Sequence, residues 1–431
     1  RITPYESAIL KKGNFSLASP DNLIFAIKSY NDFPEFEKDS TEEEKNVWTL
    51  SMESVLPMPD EKYSAPNRSM MYAVYKLDRN NFNGKSNIVS FADATKNIFG
   101  YYHGELDKGS KKKLSKLLKE SGALLISDEE EKVRTYESFL KNKIAILDDV
   151  ETKTIPEILK DGFTSGRGMN LLMVRGLIEM DVKHEIVVTT DRYDDNFDKD
   201  FEHYQMLRNI LIYLPKIKKY MAPSDIAYRV GMVPADWTNQ DGLFIRTKKI
   251  GDVEMGLGKV KFIEPLVASK SKDEMIVSVD LSDLSELMVD FKRILSGYSA
   301  SFQAYYPLMD EDGRKELEQG IVSFADNKGE VVEYTVKGVE TEDVGVNPMV
   351  FEGKLKPTTL MEKAGNRYLF NVGKLIGQQA EMYKEDERTM DIEHDHNMIY
   401  DRKITFTIPD GYTLSGLEDL KINETFPAEN P

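Results

Sequence analysis

Up to about residue 90, apolar and β-branched residues come in short blocks divided by turns. "LIFAIKSY" (23–30), "VWTLSMESV" (47–55) and "MMYAVYKL" (70–77) read as strands. Between the first two, the acidic "EFEKDSTEEEK" with its Glu42–Glu44 run reads as a solvated hairpin tip. Pro57, Pro59 and Pro66 break regular structure after the second. From Ser90 the period becomes helical. Ser90 with Asp93, and Ser127 with Glu130, make starts of the capping-box kind. Leu114, Leu117 and Leu118 share one helix face, and Val133, Tyr136, Leu140, Ile144 and Leu147 follow helical spacing.

The most apolar stretch is "SGRGMNLLMVRGLIEMDVKHEIVVTT" (165–190). Met169, Leu172, Met173, Gly176, Leu177 and Met180 fall at i, i+3, i+4, i+7, i+8 and i+11, and Leu171, Val174 and Ile178 widen that surface. The spacing predicts a helix over 165–180 buried nearly all round, followed by a buried strand at 184–190. A polar, acidic loop, "DRYDDNFDKD", leads to "FEHYQMLRNILIYL" (201–214), which is expected to lie beside that strand in one antiparallel sheet. Farther on, "MIVSVDL" alternates, with Met275, Val277, Val279 and Leu281 on one side. "SELMVDFKRIL" and "EDGRKELEQGIVSFA" look helical, and "EVVEYTV" looks like a strand. In "KITFTIPDGY", Ile404, Phe406 and Ile408 alternate before a Pro-Asp-Gly turn. No fixed-period repeat occurs. The expectation is an α+β chain of three units, 1–89, 90–265 and 266–431, with few contacts crossing the joins.

Composition changes this picture by exclusion. A net charge of −17 argues against a nucleic-acid partner and against a polybasic membrane contact. The 431 residues include no cysteine, which removes disulfides, cysteine zinc sites and thiolate chemistry. No run of about 18 apolar residues exists, so no transmembrane segment is expected. The residues after Arg1 carry no apolar signal region, so any targeting segment is expected to have been removed or left out.

Seven stretches in order, "NFSLASPDNLIFAIKSYNDFPEF", "ESVLPMPDEKYSAP", "GMNLLMVRGLIEMDVKHEIVVTTDR", "FEHYQMLRNILIYLPKIKKYMAPSD", "LSGYSASFQAYYPLMDEDGRKEL", "EKAGNRYLFNVGKLIGQQAEMY" and "ITFTIPDGYTLSGLEDLKIN", resemble bacterial multidomain transglutaminase-like proteins of the papain-like superfamily. In these, a β-sandwich domain of unknown function precedes the core and a β-rich domain follows. The resemblance implies that 1–89 is the C-terminal part of such a sandwich and 90–265 a papain/transglutaminase-like core. Residues 266–431 would be an α+β domain ending in the start of a β-rich domain. It also implies a periplasmic or cell-surface setting in the Gram-negative envelope, and a peptide, protein or cell-wall ligand. No cofactor or metal is called for.

In that family a cysteine at a helix N-terminus is activated by a histidine on a following strand, which an aspartate on the next strand orients. By the resemblance, "FEH" supplies His203 for the histidine and "YMAPSD" supplies Ala222 for the aspartate. The cysteine position falls within Gly166 to Met169, with Gly168 favoured. One triad position of three is kept. The chain is therefore expected to be a degenerate member, a non-catalytic binding or structural module. The alternative is a hydrolase or acyltransferase of peptide or cell-wall amides, with Ser165 or Thr164 as nucleophile and Asp225 in place of the missing acid.

Each candidate also has a plainer reading. A serine before a helix is most often a cap, and Asp225 most often caps or sits in a turn. Gly166-Arg167-Gly168 at a helix start suits an anion, yet it lacks the Gly-Lys-Ser/Thr that completes a P-loop. A histidine such as His203 is more commonly buried with a local hydrogen bond. His394 and His396 of "EHDH" present two metal-ligand types without a visible third or fourth. Trp48 and Trp237, with the tyrosines, make a carbohydrate platform only if several stand exposed together; singly they belong to core or rim.

Overall fold

The computed structural model describes residues 1–3, 9–40, 44–59, 61–377 and 387–425. Glu42 and Glu43 of the acidic run, and residues 378–383 at the end of one resembling stretch, lie outside them. The fold is mixed α+β with β-rich regions.

The dense apolar stretch forms helix Gly166–Glu179, hereafter the central helix. Ser165 starts it as a cap, in extended backbone with its hydroxyl accepting the Gly168 N–H. Every residue from Gly168 to Leu177 is buried. Ile178, expected to widen the apolar surface, is 38% exposed, because the helix leaves the core in its last turn. Helices Phe91–His103, Lys108–Ser121, Glu129–Lys143 and Ile155–Asp161 surround it. Gly176 permits the closest of these contacts: a Cβ there would stand 2.1 Å from the Tyr136 ring. The Tyr136 hydroxyl donates to the Leu172 carbonyl across the same contact (3.0 Å).

The helix starts follow the sequence with one shift. Ser90 caps Phe91–His103 by accepting the Asp93 N–H, as its spacing implies. The second cap is Asp128 and not Ser127, since it is the Asp128 carboxylate that takes the Glu131 N–H (2.9 Å). That helix stops at Lys143. Ala145–Ile146 then pairs in parallel with Phe163–Thr164, so Leu147 leaves the helical stripe and is exposed.

The central helix packs on a five-stranded antiparallel sheet of order Lys219–Met221, Asn209–Leu214, Glu185–Thr189, Gln240–Ile250, Val253–Ile263. Alternation sorts the two faces. Ile186, Val188, Ile212 and Leu214 enter the core shared with the helices. Val187, Leu211 and Phe244 enter a second core with Ala222, Val233 and Ile263. The expected pairing of 184–190 with the following run is present, Asn209–Leu214 lying antiparallel to Glu185–Thr189.

Before this core, Leu10–Pro20, Lys45–Val55 and Glu37–Asp39 make one sheet, and Leu23–Tyr30, Tyr72–Asn80 and Lys85–Ser86 another. After it comes a five-stranded sheet of order Glu330–Lys337, Met349–Lys356, Met288–Ser296, Lys272–Asp280, Ile399–Thr407, whose last pair is parallel. Helix Glu311–Val322 lies beside it. The stretch "SELMVDFKRIL", expected to be helical, is the middle strand of this sheet. Val289, Phe291 and Leu295 are buried while Asp290 is exposed, which is a period of two.

Several hydrogen bonds and ion pairs cross between these regions, where few contacts are expected. The acidic loop 191–200 is packed, with Arg192, Asp195 and Phe197 buried. Asp195 accepts from the Tyr72 hydroxyl (2.7 Å), and Asp198 from the Tyr30 hydroxyl (2.7 Å) and from Lys28. Glu393 bridges Arg68 and Arg192, while Glu61 accepts the Thr389 and Met390 N–H groups. Beside this join, Tyr193, Tyr228, Tyr298, Asp236, Asp395 and His396 line a hollow of about 310 Å³. Burial, then the hydrogen bond and charge of Asp191, push the Asp236 carboxyl up to about 7.

Two predictions follow from burial. Lys141 and Glu137 form a fully buried ion pair, and burial pulls the Lys141 ammonium down. Lys141→Met strands the Glu137 carboxylate, so the protein should lose about 3–5 kcal/mol in urea unfolding. The Asp236 carboxyl holds its proton longer in the folded chain than in the unfolded one. Its contribution to stability is therefore full below about pH 4 and is lost as pH rises through 7. Asp236→Asn should raise the melting temperature relative to the parent at pH 8 and less so at pH 5; equal gains at both would exclude this group as the cause.

Candidate functional site

The first turn of the central helix opens on a cleft of about 470 Å³. Its apolar walls are Ile98, Val188, Leu207, Ile210 and Trp237, and its polar ones Asn97, Tyr101, Tyr102, Arg167, Asn170, Arg208, Asn209 and Ser224. Helical geometry selects which residues look into it. Gly166, Arg167 and Asn170 share the cleft side, as positions i, i+1 and i+4. Gly166 sits directly against the loop after Met221, where a Cβ would stand 3.0 Å from the Ser224 Cβ. The Arg167 guanidinium lies over the Tyr101 ring at 3.9 Å. Asn170 is 3% exposed and its side-chain oxygen has no partner; Tyr102 is 2% exposed and its hydroxyl has none. Burial pushes the Tyr102 hydroxyl pKa up, so it stays a donor.

Gly168, the position favoured for a nucleophile, faces away from the cleft. A Cβ there would stand 1.9 Å from the Thr164 hydroxyl and 3.2 Å from Ile158 Cδ1, so side-chain space is absent on that side. The Ser165 hydroxyl is the helix cap, and Thr164 is buried behind the helix start. His203 stands in extended backbone before the short 3-10 turn Tyr204–Met206, and the strand begins only at Asn209. The turn takes up the residues that a histidine on the strand would need. The charges acting on His203 are those of Asp195, Asp198, the amino terminus and Lys76, with the Phe201 ring at 6.1 Å. Burial pulls its pKa down, and Asp195 and Asp198 oppose this. The structure does not bring His203 to the cleft, whose lining includes Asn209, the first residue of the strand.

Ala222 is buried in the second core, and its carbonyl accepts from Lys141 Nζ (3.0 Å). Asp225 turns back on its own loop, its carboxylate accepting the Ala227 N–H (2.8 Å). His394 and His396 have ring centroids 6.3 Å apart, and among the described residues no group of three or more His, Asp or Glu is arranged to hold a metal ion. Trp48 packs in the first region and Trp237 at the cleft, so the two share no platform. Among the described residues no helix is long and apolar enough to cross a membrane.

Sequence reasoning missed Asn170, Asn209, Tyr101 and Tyr102. Asn170 carried a signal: it is the one polar residue between Gly168 and Val174 in an otherwise apolar run.

No protein-family model matches the chain, and no curated protein matches it. A solved structure that it resembles is that of a Parabacteroides distasonis protein described as a "putative protease". Identity is 11%, the likeness covers 82% of this chain and 68% of that one, and the TM-score is 0.47, a level that shows neither family nor activity.

Proposed function

We propose that this protein is a non-catalytic binding or structural module of the bacterial cell envelope, periplasmic or at the cell surface. On this reading it is built on a degenerate transglutaminase-like core, and its cleft holds peptide or cell-wall material. One observation carries the reading: among the described residues, the cleft at the helix start is lined by hydroxyls, amides and arginines, and by no histidine or carboxylate. Acyl transfer needs a group that takes a proton from the nucleophile. An amide is too weak a base for this, and a guanidinium carries its proton at every physiological pH. At the cleft stand Gly166 at the helix start and Asn209 at the strand start, neither of which can serve as nucleophile or base. The alternative amide hydrolase would draw on the Ser165 hydroxyl, which caps the helix, and on His203, which belongs to the join with the first region.

Purified protein should show no turnover of peptide or cell-wall amides above background. Turnover that disappears in both Ser165→Ala and His203→Ala would overturn the reading in favour of the hydrolase. The absence of native cysteine allows the geometry to be checked directly. A Gly166→Cys protein should stay folded and react with maleimide, because only a few tenths of an ångström separate its Cβ from ordinary contact with Ser224. Gly168→Cys should lose about 1–3 kcal/mol or more from overpacking. It should label only on unfolding. Neither variant should gain turnover, since a thiol at the cleft still lacks a base.

A further inference from the structure

We infer that this cleft receives the free carboxylate of a peptide, with Arg167 as its charged partner; the inference rests on the binding-module reading above. Charge is the first ground. The chain carries 57 Lys and Arg against 74 Asp and Glu, yet the described lining of the cleft has two arginines and no acid. Arg208 is already engaged, pairing with Asp194 and Asp195 at 3.9 and 4.0 Å and donating to the Gln205 carbonyl. Arg167 lies over the Tyr101 ring, its guanidinium carbon 3.9 Å from the centroid, and makes no ion pair among the described residues. A guanidinium in that pose leaves its N–H edges open to a carboxylate.

The second ground is independent of charge. Tyr102 and Asn170, both more than nine-tenths buried, line the cleft with polar atoms that have no partner. Burial takes water from such groups, and a ligand that bonds them recovers that loss. The Tyr102 hydroxyl offers a proton to the carboxylate, and the Asn170 side-chain oxygen accepts an N–H of the same peptide. The 14-residue central helix adds its N-terminus, where Ser165 caps only the Gly168 N–H. The apolar walls, Ile98, Val188, Leu207, Ile210 and Trp237, and a volume far above that of an inorganic anion, call for a carboxylate attached to an apolar chain.

The test is calorimetric titration of the full chain with acetyl-Ala-Leu-Ala as the free acid, with the same peptide as its C-terminal amide, and with inorganic phosphate. The free acid should bind about tenfold or more tightly than the amide. Arg167→Gln should remove that preference, and Arg167→Lys should restore part of it. Equal affinity for acid and amide, or acid binding unmoved in a folded Arg167→Gln protein, overturns the carboxylate assignment while the binding reading stands. Phosphate competing with the acid at equal strength replaces the peptide by a bare anion and overturns the assignment too. Heat from neither peptide at millimolar concentration overturns both.

Discussion

The cleft depends on a charged stripe that faces inward. On helix Glu129–Lys143, residues Glu130, Arg134, Glu137 and Lys141 recur at i, i+4, i+7 and i+11. Lys141 uses all three of its protons, on Glu137 (2.9 Å) and on the carbonyls of Ala222 (3.0 Å) and Tyr228 (2.7 Å). The other Glu137 oxygen takes the Val230 N–H (2.8 Å). Arg134 donates to the Val230 carbonyl, and Glu130 holds Lys219. A buried ion pair repays its desolvation only when the remaining donors and acceptors are satisfied, and here the backbone of 222–230 satisfies them. The pair thus fixes the loop that sets Ser224 against Gly166, and with it one wall of the cleft.

What was legible in the sequence follows from how local its cause is. The central helix and the strand after it announced themselves by apolar density, and Ser90 by a cap whose partner is three residues away. The stripe on Glu129–Lys143 was just as periodic, yet spaced charges read as a solvated face until their backbone partners, 81 to 96 residues later, are known. Loop 191–200 failed the same way. Its acids are packed because Lys28, Tyr30 and Tyr72 reach them from a distant part of the chain. "SELMVDFKRIL" has apolar residues at spacings that suit either period, and only its place between two strands decides for a strand. The hairpin Gln240–Ile263 escaped notice because lysines interrupt its alternation where the strands run out into solvent.

The candidate site was legible as a region and not as a set of residues. The glycine-rich start of a buried helix does open on a cleft. Which of these positions faces outward is a matter of helical phase, and that phase is set by Thr164 and Ile158 behind Gly168. The histidine came from the resemblance of "FEH", and in the structure a short 3-10 turn separates it from the strand. His203 and Asn209 are six residues apart, and only the second stands at the cleft.

The residues at 222, 209 and 166 share a physical direction. An acid at position 222 would be buried in an apolar core beside Val187, Leu211 and Phe244, where an unpaired carboxylate costs several kcal/mol. Alanine removes that cost. Asparagine at 209 keeps hydrogen-bonding capacity without a titrating group, and glycine at 166 lets the helix close on Ser224. Tyr102 and Asn170 run the other way. The Tyr102 hydroxyl and the Asn170 side-chain oxygen are buried without a hydrogen-bond partner among the described residues, a cost that a ligand bonded to them would offset.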